Sequence, residues 1–122
     1  MALAVDWQNS TSVKVDQKAV ETHLELILQR LGVVGRVGIE ISLVGDRAIQ
    51  KLNQEYRQID RPTDVLSFAN PDRSLLELPL GNLVISVETA ARQAKKAGIT
   101  VDEELKMISG HGLLHLLDYN HI

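Results

Sequence analysis

The side chains best suited to chemistry in this sequence are three histidines close to its C-terminal end. The chain has four histidines in 122 residues, and His111, His115 and His121 lie within one short segment. Residues four apart on a helix share one face, with Cβ atoms about 5–6 Å apart, so His111 and His115 can bind one metal ion at about 2.0–2.1 Å. His121 follows an Asp-Tyr-Asn segment, in which Asp and Asn favour a reversal of the chain. It can therefore complete a three-histidine set.

A three-histidine set predicts a catalytic metal site, because it leaves one coordination position for water or substrate, whereas structural zinc sites are usually closed. A bound divalent ion lowers the pKa of its water to about 7 and polarises a phosphoryl or carbonyl oxygen. Zinc peptidases carry Glu directly after the first His, and this chain has Gly112 there, which argues against proteolysis. Helix packing is the alternative explanation for a histidine pair, and we interpret the separate His23 as a helix-surface residue.

A glycine inside a helix costs about 1 kcal/mol relative to alanine. Gly112 lies between His111 and His115, so its presence indicates a close approach. The approaching group can be another backbone, a substrate, or the sheet against which the helix packs.

Three sequence blocks resemble the YbeY family of metal-dependent endoribonucleases. The segment HGLLHLLDYNH (111–121) is similar to the family signature H-G-x-L-H-L-x-G-Y-D-H. The segment LNQEYRQIDRPTDVLSF (52–68) is similar to L-N-x-x-Y-R-x-x-D-x-P-T-D-V-L-S-F, and LGNLVIS (80–86) to L-G-D-I-V-I-S. Because their order and spacing agree from about residue 38 to 121, the resemblance is specific.

The resemblance implies a four-stranded mixed sheet packed with helices, and one zinc or other divalent ion held by His111, His115 and His121. It implies cleavage of single-stranded RNA in rRNA maturation, notably at the 3′ end of the small-subunit RNA, and in ribosome quality control. Single-stranded RNA and rRNA would be the substrates, and the ribosome or ribosomal proteins would be partners. The functional arginine of the family falls on Arg57.

Arg57 suits this chemistry, because a planar guanidinium binds phosphate through two parallel hydrogen bonds. The alternative is an ordinary surface arginine. Ser67 is a further candidate for the cleft. For Thr63 and Asp64 we expect hydrogen bonds that form the turn before a strand, and for Asn53 a buried amide that holds a neighbouring loop.

Three departures from the family pattern change a glycine or a charged position. Asp118 replaces a usual Gly, whereas Asn120 and Asn82 replace usual Asp residues. An Asp at position 120 could orient a ligating histidine, so the uncharged Asn120 predicts metal binding weaker by about 10-fold or more. Two alternatives therefore stay open: a catalytically weakened, ribosome-associated RNA-binding module of the same fold, and a generic zinc metallohydrolase.

The composition predicts one domain over residues 1–122 with an aliphatic core, since 44% of residues are hydrophobic but only 3% are aromatic. The net charge of −3 argues against a protein that coats nucleic acid. The sequence has no cysteine, no apolar run of membrane-spanning length and no secretory-type N-terminus. These features favour a cytoplasmic protein without a membrane partner, and they leave the oligomeric state open.

Strands and helices interleave along the sequence, which predicts the α/β (α+β) class with one small mixed sheet. Alternating apolar residues predict strands at about 3–8, 37–43, 64–70 and 80–86. Helices are predicted from the Asp16 cap to about Leu31, from Asp46 to Pro62, from the Ser86 cap to Gly98, and from about Val101 to Leu117. A capping box of Thr100 and Glu103 opens the last helix.

Overall fold

The computed structural model describes residues 2–70 and 79–117. This part of the chain contains four strands and four helices that alternate much as predicted. In chain order they are β1 (Ala2–Asn9), α1 (Gln17–Arg30), β2 (Arg36–Val44), α2 (Asp46–Arg57), β3 (Val65–Ala69), β4 (Pro79–Ser86), α3 (Val87–Ala97) and α4 (Val101–Leu116). Each of these helices is too short or too polar to cross a bilayer.

The four strands form one sheet in the order β1-β2-β4-β3. Strands β1 and β2 are parallel, as are β2 and β4, whereas β3 runs antiparallel to β4. The α/β class and the mixed four-stranded sheet are therefore confirmed. Strand β3 is an edge strand, so one side of its backbone does not pair with another strand of this sheet.

The main core lies between one face of the sheet and helices α1, α3 and α4. Alternate residues of β2, Ile39, Ile41 and Leu43, point into it and are almost fully buried, as the period of two in a strand requires. A smaller cluster covers part of the opposite face, where Ile49 of α2 packs on Leu66 and Val84. The fold thus places α2 and α4 on opposite faces of the sheet.

The predicted starts of α1, α3 and α4 are confirmed by their caps. Asp16 Oδ1 accepts a hydrogen bond from the Ala19 amide at 3.1 Å, and Ser86 Oγ accepts one from the Thr89 amide at 3.2 Å. Both hydrogen bonds of the α4 capping box form: the Thr100 side chain accepts from the Glu103 amide, and the Glu103 side chain accepts from the Thr100 amide. Each bond satisfies a backbone N–H that has no partner inside its helix.

The predicted end of α2 is wrong: Pro62 does not end this helix, which already ends at Arg57. Gln58 adopts a left-handed backbone conformation with φ 58°. Its amide donates to the Gln54 carbonyl, and the next amide donates to the Asn53 carbonyl, which closes the helix end.

The loop that follows α2 is held by Asn53, as predicted. This residue is only 1% exposed, and its Nδ2 donates to the Arg61 carbonyl at 2.9 Å. The side-chain bond fixes the loop relative to α2 and thereby fixes the start of β3. At that start, Thr63 Oγ1 lies 3.5 Å from Asp64 Oδ1, and the Asp64 carbonyl accepts from the Ser86 amide at 3.0 Å.

Candidate active site at the edge of the sheet

A cleft of about 450 Å³ runs along edge strand β3. It is lined by Arg57, Val65, Leu66, Ser67, Phe68, Ala69, His115 and Leu116. The lining residues come from the end of α2, the whole of β3 and the end of α4. Three of the residues singled out from the sequence, Arg57, Ser67 and His115, therefore share one cleft although they are distant in the chain.

Arg57 is exposed at the rim of this cleft, as the last residue of α2. Its position follows from the early helix end, because the left-handed Gln58 turns the chain away immediately after it. Within residues 2–70 and 79–117, no carboxylate forms an ion pair with Arg57. The guanidinium is thus accessible to an anionic group in the cleft.

Ser67 lies in the middle of β3 and lines the cleft between the two helices. It pairs with Leu83 of β4, so its side chain points toward the face that α4 covers. Its Oγ donates a long hydrogen bond of 3.4 Å to the Gly112 carbonyl. Ser67 therefore links the edge strand to the turn of α4 that carries the two histidines.

His111 and His115 lie one turn apart on α4, and both are exposed. His115 lines the cleft together with Arg57. Exposed imidazoles at this spacing fit a divalent ion that prefers nitrogen ligands, such as zinc. In the part of the chain that the structure describes, no group of three His, Cys, Asp or Glu side chains could hold a metal. The third predicted ligand, His121, lies outside the described residues, as do Asp118 and Asn120.

The packing of α4 explains the glycine between the histidines. A Cβ on Gly112 would lie 2.8 Å from Leu83 Cδ2 and 3.1 Å from Leu83 Cδ1. Leu83 is a fully buried residue of β4. Of the three explanations considered for Gly112, close helix–sheet packing is the one that the structure supports.

The structure corrects the interpretation of His23 as a helix-surface residue. It is partly buried, and a Cβ on Gly110 of α4 would lie 3.4 Å from its Nε2. The imidazole therefore belongs to the contact between α1 and α4. Burial lowers the pKa of His23, and the positive charges of Lys106 and Arg30 lower it further. A helical spacing cannot reveal this position, because the partner is a glycine from a distant segment.

Two aromatic residues at the cleft were not singled out from the sequence as site residues. Phe68 lines the cleft. The ring of Tyr56 contacts the ring of Phe68 edge-to-face, with centroids 5.1 Å apart. Tyr56 is 62% exposed. The sequence feature that could have indicated a role for Tyr56 at the site is its position directly before Arg57.

Comparisons with known proteins identify relatives that match most of the chain. The family model described as Endoribonuclease YbeY matches residues 4–122. The chain is 39% identical over 125 residues to the Endoribonuclease YbeY of Sulfurovum sp. (strain NBC37-1), covering 99% of this chain and 80% of the relative. It is 41% identical over 108 residues to that of Aquifex aeolicus (strain VF5), covering 88% and 71%.

One similar solved structure is the solution structure of TM1509 from Thermotoga maritima. Its TM-score is 0.62 at 26% sequence identity, and the match covers 93% of this chain and 71% of that one. The architecture of the described residues is therefore similar to a fold determined by experiment.

Proposed function

We propose, from the premise that this chain belongs to the endoribonuclease YbeY family, that it is a metal-dependent endoribonuclease that cleaves single-stranded RNA. The proposed substrate is rRNA, with the 3′ end of the small-subunit RNA as the site of maturation, and the proposed location is the cytoplasm. A role in ribosome quality control, with the ribosome or ribosomal proteins as partners, belongs to the same proposal. The observation that carries it is the convergence of Arg57 and His115 on one cleft.

The proposed cofactor is one zinc ion held by His111, His115 and His121. When bound, such an ion supplies a Lewis acid and a water of lowered pKa. The exposed positions of His111 and His115 on one face of α4 support this set. Asn120 would accept a hydrogen bond from a ligating histidine without adding charge, and weaker metal binding is expected for that reason.

Arg57 is proposed to bind the scissile phosphate and to stabilise the charge that develops on its oxygens. A guanidinium donates two parallel hydrogen bonds to a phosphate, in a geometry that lysine does not offer. Hydrogen-bond donors that are held in place before the reaction stabilise the transition state most. The capped C-terminal end of α2 holds the backbone of Arg57 in this way. Ser67 is proposed to position the His111–His115 turn through its bond to Gly112.

The test begins with the metal content of untagged protein, followed by cleavage of a single-stranded RNA with and without a chelator. We expect about one zinc per chain, cleavage that the chelator abolishes, and recovery on addition of zinc. The variant Arg57→Ala should lower kcat by about 100-fold or more, as the loss of a transition-state donor does elsewhere. Arg47→Ala is the matched control, because Arg47 is exposed at the opposite end of the same helix.

Each alternative function predicts a different result. RNA binding without cleavage by metal-loaded protein would identify a catalytically weakened binding module. Hydrolysis of a small ester or peptide without RNA cleavage would identify a generic metallohydrolase. Cleavage at the unmodified rate by Arg57→Ala would remove Arg57 from the proposed mechanism.

A further inference from the structure

We infer that Tyr56 and Phe68 form a stacking platform that holds one base of the RNA at the mouth of the cleft, next to the phosphate bound by Arg57. This inference rests on the proposed function and extends it to the positioning of the substrate. Its physical basis is the pairing of an exposed tyrosine with a phenylalanine that lines the cleft.

The first observation is the exposure of Tyr56. Its side chain is 62% exposed, although tyrosine loses favourable burial energy when its ring stays in water. The T-shaped contact with Phe68 has an interplanar angle of 70°. An edge-to-face contact leaves the faces of one ring uncovered by the other, so an aromatic surface remains available to a ligand.

The second observation is the placement of the aromatic side chains. The described residues include three aromatics, Trp7, Tyr56 and Phe68. Trp7 packs on the main core and donates a hydrogen bond to Glu21, so it has a structural role. Phe68 lines the cleft together with the arginine proposed to bind phosphate, and Tyr56 contacts the Phe68 ring.

The chemistry of single-stranded RNA suits an exposed aromatic surface. Single-stranded RNA exposes unstacked bases, and proteins recognise such bases by stacking them on aromatic side chains. A base stacked on Tyr56 would lie beside Phe68, which lines the same cleft as Arg57. One nucleotide would then be held through its ring and through its phosphate. Because an aromatic ring stacks on any base, the platform predicts preference for unpaired RNA more than for a particular sequence.

The experiment measures cleavage and equilibrium binding of a short single-stranded RNA. We expect Tyr56→Ala to raise KM and the dissociation constant by about 10-fold, the effect of losing one stacked base, with a much smaller change in kcat. Tyr56→Phe should restore wild-type values, whereas Tyr56→Leu should not. Val13→Ala is the control for loss of an exposed apolar side chain, because Val13 follows β1 at the opposite edge of the sheet.

An abasic scan separates stacking from a structural role. RNAs that lack a single base are compared in wild-type protein and in Tyr56→Ala. One abasic position should weaken wild-type binding by the same factor as the substitution, and Tyr56→Ala should be insensitive to it. If every abasic RNA weakened binding by the same factor in wild-type protein and in Tyr56→Ala, no base would depend on Tyr56 and the inference would be overturned.

The outcomes also distinguish the inference from the function on which it rests. Wild-type protein that cleaves RNA, with Tyr56→Ala unchanged in KM, would overturn the stacking platform alone. Wild-type protein that neither binds nor cleaves RNA would overturn both.

Discussion

Gly81 shapes the cleft although it has no side chain to offer. A Cβ at this position would overlap the Phe68 carbonyl, and it would lie 2.6 Å from Leu116 Cδ2 and 3.0 Å from Ala69 Cα. Phe68, Ala69 and Leu116 all line the cleft. The missing side chain lets β3, β4 and the end of α4 come together, and that contact builds one wall of the site.

The variant Gly81→Ala should lower the free energy of unfolding by about 2–3 kcal/mol, because overpacking against backbone atoms forces the strands to shift. Gly112→Ala is a matched control at a second buried glycine. The atoms nearest to its Cβ belong to the Leu83 side chain and not to a backbone, and alanine regains about 1 kcal/mol of helix propensity, so a smaller loss is expected there. Urea denaturation should show a larger loss of unfolding free energy for Gly81→Ala than for Gly112→Ala. Equal losses in the two variants would contradict this prediction.

Asp46 connects two helices, since it opens α2 and contacts the start of α3. Its Oδ1 accepts hydrogen bonds from Ser86 Oγ at 2.7 Å and from Thr89 Oγ1 at 2.6 Å. Its Oδ2 pairs with Arg92 at 2.7 Å. Burial raises the pKa of Asp46, but the hydrogen bonds from Arg92, Ser86 and Thr89 outweigh that effect and lower the pKa to about 2.

The folded state therefore binds the Asp46 proton more weakly than the unfolded chain does. The stabilisation is present above pH 4 and is lost as the pH falls toward 2. We expect Asp46→Asn to lower the free energy of unfolding at pH 7 by about 1 kcal/mol, a modest value because water screens partly exposed charges. The difference from wild type should shrink between pH 4 and 2 in urea denaturation. A difference independent of pH would show that the carboxylate charge is not responsible.

At the scale of elements, local patterns predicted most of the helices and strands. The caps at Asp16, Ser86 and Thr100 depend on residues three positions away in the chain, so the sequence is sufficient to locate them. The end of α2 was misplaced because it depends on the left-handed Gln58, a residue type that seldom adopts this conformation. The loop bond from Asn53 was anticipated, but the left-handed Gln58 that ends the helix was not.

At the scale of the whole molecule, the histidine spacing and the family resemblance named the candidate residues but not the cleft. Arg57, Ser67 and His115 come together because β3 is the edge strand and because α2 and α4 lie against opposite faces of the sheet. Strand order and helix packing are long-range properties, which periodicity in a single sequence does not contain. The part played by Phe68 and Tyr56 was missed for the same reason.

The charge of the whole molecule limits how RNA can be held. The net charge is −3, and Arg57 is the one Lys or Arg among the described residues that line the cleft. Each phosphate neutralised on a single strand contributes a slope of about −0.7 to a plot of log affinity against log salt. A site with one or two phosphate contacts therefore predicts a wild-type slope of about −1, and Arg57→Ala should reduce it by about 0.7.

This prediction is checked by measuring RNA affinity across a salt series in wild-type protein, Arg57→Ala and Arg47→Ala. Arg47→Ala should keep the wild-type slope, since Arg47 does not line the cleft. A slope steeper than about −3 would require more than four phosphate contacts and would point to a broad basic surface. Such a surface would bind RNA along its length. Binding would then no longer be explained by one nucleotide whose base stacks on Tyr56 and whose phosphate binds Arg57.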